Sequence, residues 1–107
     1  MSGDEDAIWT SLPVPTLVLD ADDHIVRTNP AAEGFMMASA RVLQGQPVWD
    51  RLAVDAPLDD ALARARRDGA PLFVNDVDVG TGDRAPVLCN LQIAPLAGET
   101  GHMILLV

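Results

Sequence analysis

The stretch VRTNPAAEGFM, from Val26 to Met36, changes character at its middle. The residues before Asn29 are typical of the end of a strand, and those after it are typical of the start of a helix. Asn29 is a favoured N-cap residue, and Pro30 suits the first helical position, where its missing N–H breaks no hydrogen bond. Three apolar residues follow at helical spacing and predict a face that packs on a sheet: Ala32, Phe35 and Met36.

Two short strands precede this junction. Residues 16–20 (TLVLD) and 24–28 (HIVRT) are rich in strand-forming residues, and an acidic turn separates them. So short a connection predicts an antiparallel hairpin. Further upstream, residues 6–12 (DAIWTSL) predict a short helix with Asp6 as its N-cap, which the proline-rich LPVP segment ends.

Downstream of the junction the sequence predicts further helices. Pro47 can open a turn after Gly45, and Asp55 is placed to cap a helix over residues 56–69 (APLDDALARARRDG). The charges of this helix match its dipole, because the acidic residues come early and the arginines late, and Gly69 fits the C′ position. Its apolar stripe consists of Leu58, Ala61, Leu62 and Ala65.

After Gly69 the apolar period becomes two, which predicts three strands in an antiparallel meander. In the first strand we expect one face to be formed by Phe73, Asn75, Val77 and Val79. The second strand alternates in the same way at Val87, Cys89, Leu91 and Ile93. Residues 102–107 (HMILLV) are nearly all apolar, so we expect a central strand that is covered on both faces. The fold class is therefore α+β.

Length and composition bound the function. The 107 residues make one domain, and a hydrophobic fraction of 49% is typical of a folded one. The net charge of −9 argues against a nucleic-acid partner. There is no lysine for Schiff-base or P-loop chemistry, and the single Cys89 excludes an internal disulfide and cysteine-based zinc clusters. An acidic N-terminus and the lack of a long apolar run lead us to expect a cytoplasmic protein.

The order of these elements resembles a PAS domain over nearly the whole chain. The resemblance rests on strand, acidic turn, strand and Asn-Pro-Ala-Ala-Glu, followed by short helices and a meander. It implies a five-stranded antiparallel sheet of order 2-1-5-4-3 with short helices on one face, residues 13–107 as the PAS core and residues 1–12 as a flanking helix. The segments LPVPTLVLDADDHIVRTNPAAEGFM and LQGQPVWDRL are most similar to the N-terminal sensor domain of nitrogen-regulatory histidine kinases of the NtrB type.

No catalytic constellation emerges from the sequence. His24 and His102 lie at strand starts, where an exposed imidazole is the ordinary outcome. The acidic turn of Asp20, Asp22 and Asp23 lacks the glycine and distal glutamate of a calcium loop, so we assign it to turn chemistry and predict no metal site. A small enzyme would need converging polar side chains, and the available ones are Asn29, Asn75, Asn90 and Gln92.

The resemblance also frames the question of cofactors. Flavin photosensors of the family carry a reactive cysteine in an Asn-Cys-Arg-like helical motif, and haem-binding members use a histidine on the long helix. This sequence has neither feature, so we expect no bound cofactor. A noncovalent small-molecule pocket between sheet and helices competes with simple core packing of the same side chains. The candidate lining residues are Asn29, Phe35, Met36, Trp49, Leu62, Phe73, Cys89 and Leu91.

The resemblance implies a sensory and dimerisation module without enzymatic activity of its own. It would regulate the kinase and phosphatase activities of a two-component nitrogen-regulatory histidine kinase, whose kinase core we expect to follow Val107 in the same chain. The alternative is a noncovalent small-molecule sensor of another signalling protein. The dimer-interface candidates are Ile8, Trp9 and Leu12, because tryptophan is enriched at association hot spots. The competing interpretation is that this helix covers its own sheet.

Overall fold

The computed structural model describes residues 2–81, 85–96 and 102–106. Residues 1, 82–84, 97–101 and 107 lie outside this part of the chain, and with them the turns expected between the last three strands. So does the side-chain burial of the last strand, which we expected to be covered on both faces.

The described residues form four α-helices, one short 3-10 helix and six strands. The helices are α1 (Ser2–Ser11), α2 (Pro30–Met36), α3 (Ala40–Leu43), the 3-10 helix Val48–Asp50 and α4 (Leu58–Asp68). The strands are β1 (Thr16–Leu19), β2 (Ile25–Thr28), β3 (Ala53–Val54), β4 (Leu72–Gly80), β5 (Val87–Pro95) and β6 (His102–Leu106).

All six strands belong to one antiparallel sheet with the order β2-β1-β6-β5-β4-β3. The last strand, β6, pairs with β1 on one side and with β5 on the other. The sheet has one strand more than the five expected from the sequence, because Ala53 and Val54 pair with Gly80 and Val79 at the far edge. Two residues are too few to show the alternation that identifies a strand in a sequence.

A single hydrophobic core lies between one face of the sheet and the helices α2, α3 and α4. The apolar stripe predicted for α4 is confirmed, since Leu58, Ala61, Leu62 and Ala65 are all buried. The sheet contributes alternate residues to the same core. Its buried side chains include Leu17, Leu19, Ile25, Val77, Val79, Cys89, Leu91 and Ile93.

The junction at Asn29 is the best-satisfied polar site in the described core. The Asn29 side chain is fully buried, and its Oδ1 accepts hydrogen bonds from the backbone N–H groups of Thr16 and Ala32, each at 2.9 Å. Its Nδ2 donates to the carbonyl oxygen of Val14 at 2.9 Å. The predicted N-cap role is therefore confirmed, with Pro30 at the first helical position. One side chain joins β1, the segment before it and α2.

Two predicted helix starts are wrong. Helix α1 begins at Ser2, so Asp6 lies inside it and is not its N-cap. Helix α4 begins at Leu58 after Pro57, without a side-chain cap. Asp55 is not the cap of α4, because Pro57 occupies the N-cap position. The backbone N–H of Asp55 donates instead to the carbonyl oxygen of Asp78 at 2.9 Å and continues the edge pairing of β3 with β4.

The predicted face of β4 is also wrong for two residues, Phe73 and Asn75, which are exposed while Val77 and Val79 are buried. The register with β5 shifts between Val74 and Val77, and Asp76 adopts a positive φ of 57°. Such a bulge moves the residues before it to the opposite face from the one that strict alternation predicts. Phe73 therefore pairs with Gln92 and is 61% exposed, whereas Val77 is buried.

Replacement of Asn29 by alanine should lower the free energy of unfolding by about 3 kcal/mol, because it leaves two backbone N–H groups and one carbonyl without their partner in the core. Chemical denaturation followed by tryptophan fluorescence measures this loss. Asn75→Ala is the matched control, since Asn75 is exposed on β4, and it should change the stability by less than about 0.5 kcal/mol. Equal effects of the two substitutions would contradict the role of Asn29.

Candidate functional site

A cleft opens between the start of α4, the loop that precedes it and the first half of β4. Its volume is about 360 Å³, within the range of small-molecule sites in proteins. Apolar side chains form most of its wall. They include Val54 from β3, Leu58 and Ala61 from α4, Leu72 and Val74 from β4, and Leu91 from β5.

Two charged side chains of α4 stand at the rim of this cleft. Asp60 and Arg64 both line it, and both are exposed to solvent. They are four residues apart, so they lie on the same side of the helix, one turn from each other. The sequence places them only in the charge distribution along α4, because their position at a cleft depends on how α4 crosses β4.

The eight pocket candidates from the sequence do not surround one cavity. Only Phe73 and Leu91 line the cleft beside α4. Five of the remaining candidates do not line this cleft. They pack in the core between the sheet and the helices, as the competing interpretation of core packing predicts. They are Asn29, Phe35, Met36, Leu62 and Cys89, of which Phe35 is only partly buried.

Trp49 lies elsewhere. Its side chain is 43% exposed on the 3-10 helix and borders a separate open cleft together with Gly80 and Pro86, at the β3 edge of the sheet. Its position follows from Pro47, which begins this short helix as the sequence predicted and turns Val48 inward and Trp49 outward.

Helix α1 is attached to its own domain through Trp9. The indole Nε1 donates to the carbonyl oxygen of Thr28 at 3.3 Å, and the guanidinium of Arg27 lies 4.6 Å from the centroid of the indole ring. Such a cation–π contact stabilises the docked helix modestly. Of the three dimer-interface candidates, Trp9 and Leu12 are half-buried within the domain, whereas Ile8 is 65% exposed.

The sheet face that points away from the helices also carries exposed apolar side chains. Cys89, Leu91 and Ile93 face the core, so the intervening residues of β5 face outward. Among these, Leu88 is 65% exposed. Phe73 lies opposite Gln92 on the same outer face. The outer face therefore presents large apolar groups that the described part of this chain does not cover.

The acidic turn between β1 and β2 is held by its own backbone. Asp20 Oδ1 accepts hydrogen bonds from the N–H groups of Asp22 and His24, each at 2.9 Å. The bond from the His24 N–H, more than any other contact, lowers the pKa of the Asp20 carboxyl from its usual value. Potential ligand atoms of Asp20, Asp22 and His24 lie within 4.8 Å of one another. The hydrogen bonds of the turn bring these three side chains together.

The remaining polar candidates do not converge. Asn29 uses its amide within the core junction, and Asn90 Oδ1 accepts the N–H of Asp76 at the β4 bulge, at 2.9 Å. The Cys89 thiol is buried, and desolvation raises its pKa, which disfavours a reactive thiolate. The side chain of His102 lies outside the described residues.

No helix within the described residues has the length and hydrophobicity that a membrane span requires.

Comparison with known proteins agrees with this architecture. The chain is 53% identical over 100 residues to the sensory histidine kinase/phosphatase NtrB of Rhodobacter capsulatus, an alignment that covers 94% of this chain and 28% of that protein. The chain thus spans little more than a quarter of the length of this relative.

Solved structures with the same fold include the PAS domain of nitrogen regulation protein NR(II) from Vibrio parahaemolyticus. It superposes with a TM-score of 0.82 at 22% identity, covering 96% of this chain and 95% of that one. The PAS domain of an HTR-like protein from Haloarcula marismortui superposes with a TM-score of 0.79 at 15% identity, covering 99% and 89%.

A family model described as the PAS fold matches residues 9–107, which comprise the whole sheet and all helices after α1. Together with the antiparallel sheet and the helices packed on one of its faces, this match shows that the chain belongs to the PAS family.

Proposed function

We propose that this chain is the sensory and dimerisation module of a two-component nitrogen-regulatory histidine kinase. Its role is to regulate the kinase and phosphatase activities of that protein in the cytoplasm. The observation that carries the proposal is the 53% identity over 94% of this chain to a sensory histidine kinase/phosphatase. Fold similarity alone would not carry it, because one fold serves many functions.

On this proposal the module itself performs no catalysis. The matched relative is more than three times as long as the region it shares with this chain, so phosphotransfer belongs to the kinase core of the parent chain. The geometry is compatible with this division, since the polar side chains of the described core and turns make backbone hydrogen bonds instead of converging on a cleft.

The surfaces that would join two protomers are α1 and the outer face of the sheet. Ile8, Phe73 and Leu88 are each more than 60% exposed, and burial of such groups between two copies would release apolar surface from water. Trp9, one of the three interface candidates from the sequence, is better placed to hold α1 on its own domain, because the Thr28 carbonyl and the Arg27 guanidinium contact its indole. Intramolecular docking and dimerisation are therefore served by different residues of α1.

The contacts of α1 also suggest how the domain would regulate the kinase core. Trp9 connects α1 to the Thr28 carbonyl, and the next residue, Asn29, caps α2. A change in how two α1 helices pack would be transmitted to the hairpin and α2 through these contacts, and would bias the kinase core between two states.

A second candidate function is noncovalent sensing of a small molecule. The cleft of about 360 Å³ beside α4 favours it, because it combines apolar walls with charged groups at the rim. The two candidates are compatible, since a ligand in the cleft could alter the packing of a dimer.

The isolated domain should sediment as a dimer at micromolar concentration, and Ile8→Asp should raise its dissociation constant about tenfold or more by placing a charge in the interface. Analytical ultracentrifugation over a concentration series measures both. Val42→Asp is the matched control, because Val42 is 49% exposed on α3, on the helical side of the sheet, and it should leave the dimer unchanged. A wild-type domain that stays monomeric well above micromolar concentration would contradict the dimer.

Regulation can be measured in a chimera in which this chain replaces the matching region of the full-length Rhodobacter capsulatus kinase/phosphatase. We expect the chimera to keep both activities, and Ile8→Asp in the chimera to change the ratio of autophosphorylation to phosphatase rate, with Val42→Asp as control. The proposal fails if deletion of the domain leaves this ratio as it is in the intact kinase.

A further inference from the structure

We propose that the cleft beside α4 binds a free α-amino acid with an apolar side chain. The proposal rests on the second candidate function, a small-molecule sensor, and specifies its ligand. It follows from the chemistry of the wall and the rim of this one cleft.

The apolar wall of the cleft favours a ligand with an apolar group of moderate size. Leu58 and Ala61 from α4, Leu72 and Val74 from β4, and Leu91 from β5 line the cleft together. Among the described residues, Asp60 and Arg64 are the charged side chains that line it. A volume of about 360 Å³ is at the lower end of the range for ligand sites, which suits a metabolite better than a large cofactor.

The charged side chains at the rim determine which charges a ligand should carry. Among the arginines of α4, Arg66 pairs with Asp23 at 3.2 Å and Arg67 with Asp68 at 3.3 Å. Within the described residues, the guanidinium of Arg64 forms no ion pair, and neither does the carboxylate of Asp60. Arg64 is thus the arginine of this helix whose charge is available to a ligand in the cleft.

The presence of both an arginine and an aspartate at the rim distinguishes between ligand classes. A ligand with a carboxylate but no amine would be attracted by Arg64 and repelled by Asp60 one turn away. A ligand with an amine but no carboxylate would be attracted by Asp60 and repelled by Arg64. A zwitterion satisfies both, with its carboxylate on Arg64, its ammonium on Asp60 and its side chain directed into the apolar cleft. Desolvation costs stay small because both charged groups remain at the exposed rim.

The test is an NMR titration of the ¹⁵N-labelled domain with L-leucine up to millimolar concentration. Two parallel titrations use 4-methylpentanoate, which lacks the ammonium group, and 3-methylbutylamine, which lacks the carboxylate. We expect leucine to shift the amide signals of residues 54–61 and 72–74, and each analogue to bind about tenfold more weakly or worse.

Charge-neutralising substitutions on α4 provide the second readout. Arg64→Gln and Asp60→Asn should each weaken leucine binding about tenfold, since each removes one charge-assisted contact. Arg67→Gln and Asp59→Asn are the matched controls on the same helix, because neither residue lines the cleft, and both should bind leucine like the wild type.

Equal binding of leucine and 4-methylpentanoate would overturn the amino-acid inference while leaving the small-molecule sensor in place. Shifts confined to residues outside the cleft, or no binding of any probe, would overturn the inference as well. None of these outcomes alters the sedimentation or chimera results, so failure of the ligand and failure of the kinase module are distinguishable.

Discussion

A single buried amide joins the first hairpin of this domain to the helix that follows it. Asn29 emerges from β2 at the point where α2 must begin, and a helix start always leaves backbone N–H groups without intrahelical partners. Asn29 satisfies one of them, at Ala32, while it also satisfies Thr16 at the start of β1 and the carbonyl of Val14. Its own N–H donates to the Thr16 carbonyl oxygen at 3.2 Å. The direction in which α2 leaves the sheet is fixed by these bonds.

Much of the fold could be predicted from the sequence because its signals are local. The N-cap at Asn29, the C-cap at Gly69 and the apolar stripe of α4 each depend on neighbours a few residues away. Apart from the starts of α1 and α4, the errors arose where pairing between distant residues decides the structure. The bulge at Asp76 is set by the register with β5, and β3 exists only because β4 extends far enough to pair with Ala53.

The candidate site was less predictable than the fold. Apolar residues such as Leu62 and Cys89 were named as pocket-lining because core and pocket share the same composition, and the structure places them in the core. Phe73 borders the cleft between Leu72 and Val74, although the bulge places it opposite Gln92 on the outer face of the sheet, where it is 61% exposed. Asp60 and Arg64 were missed as rim residues, because their role requires the position of α4 against β4, which no local pattern encodes.

Native-state hydrogen exchange would test whether Asn29 ties hairpin and helix into one cooperative unit. We predict that the amides of Thr16 and Ala32 exchange only through global unfolding, with the same opening free energy as the core of β5. Ala40, whose N–H donates to the partly exposed Glu33 carboxylate at 3.0 Å, should exchange faster by local opening. If the amide of Thr16 or Ala32 exchanged as fast as that of Ala40, Asn29 would not join the hairpin and α2 in one cooperative unit.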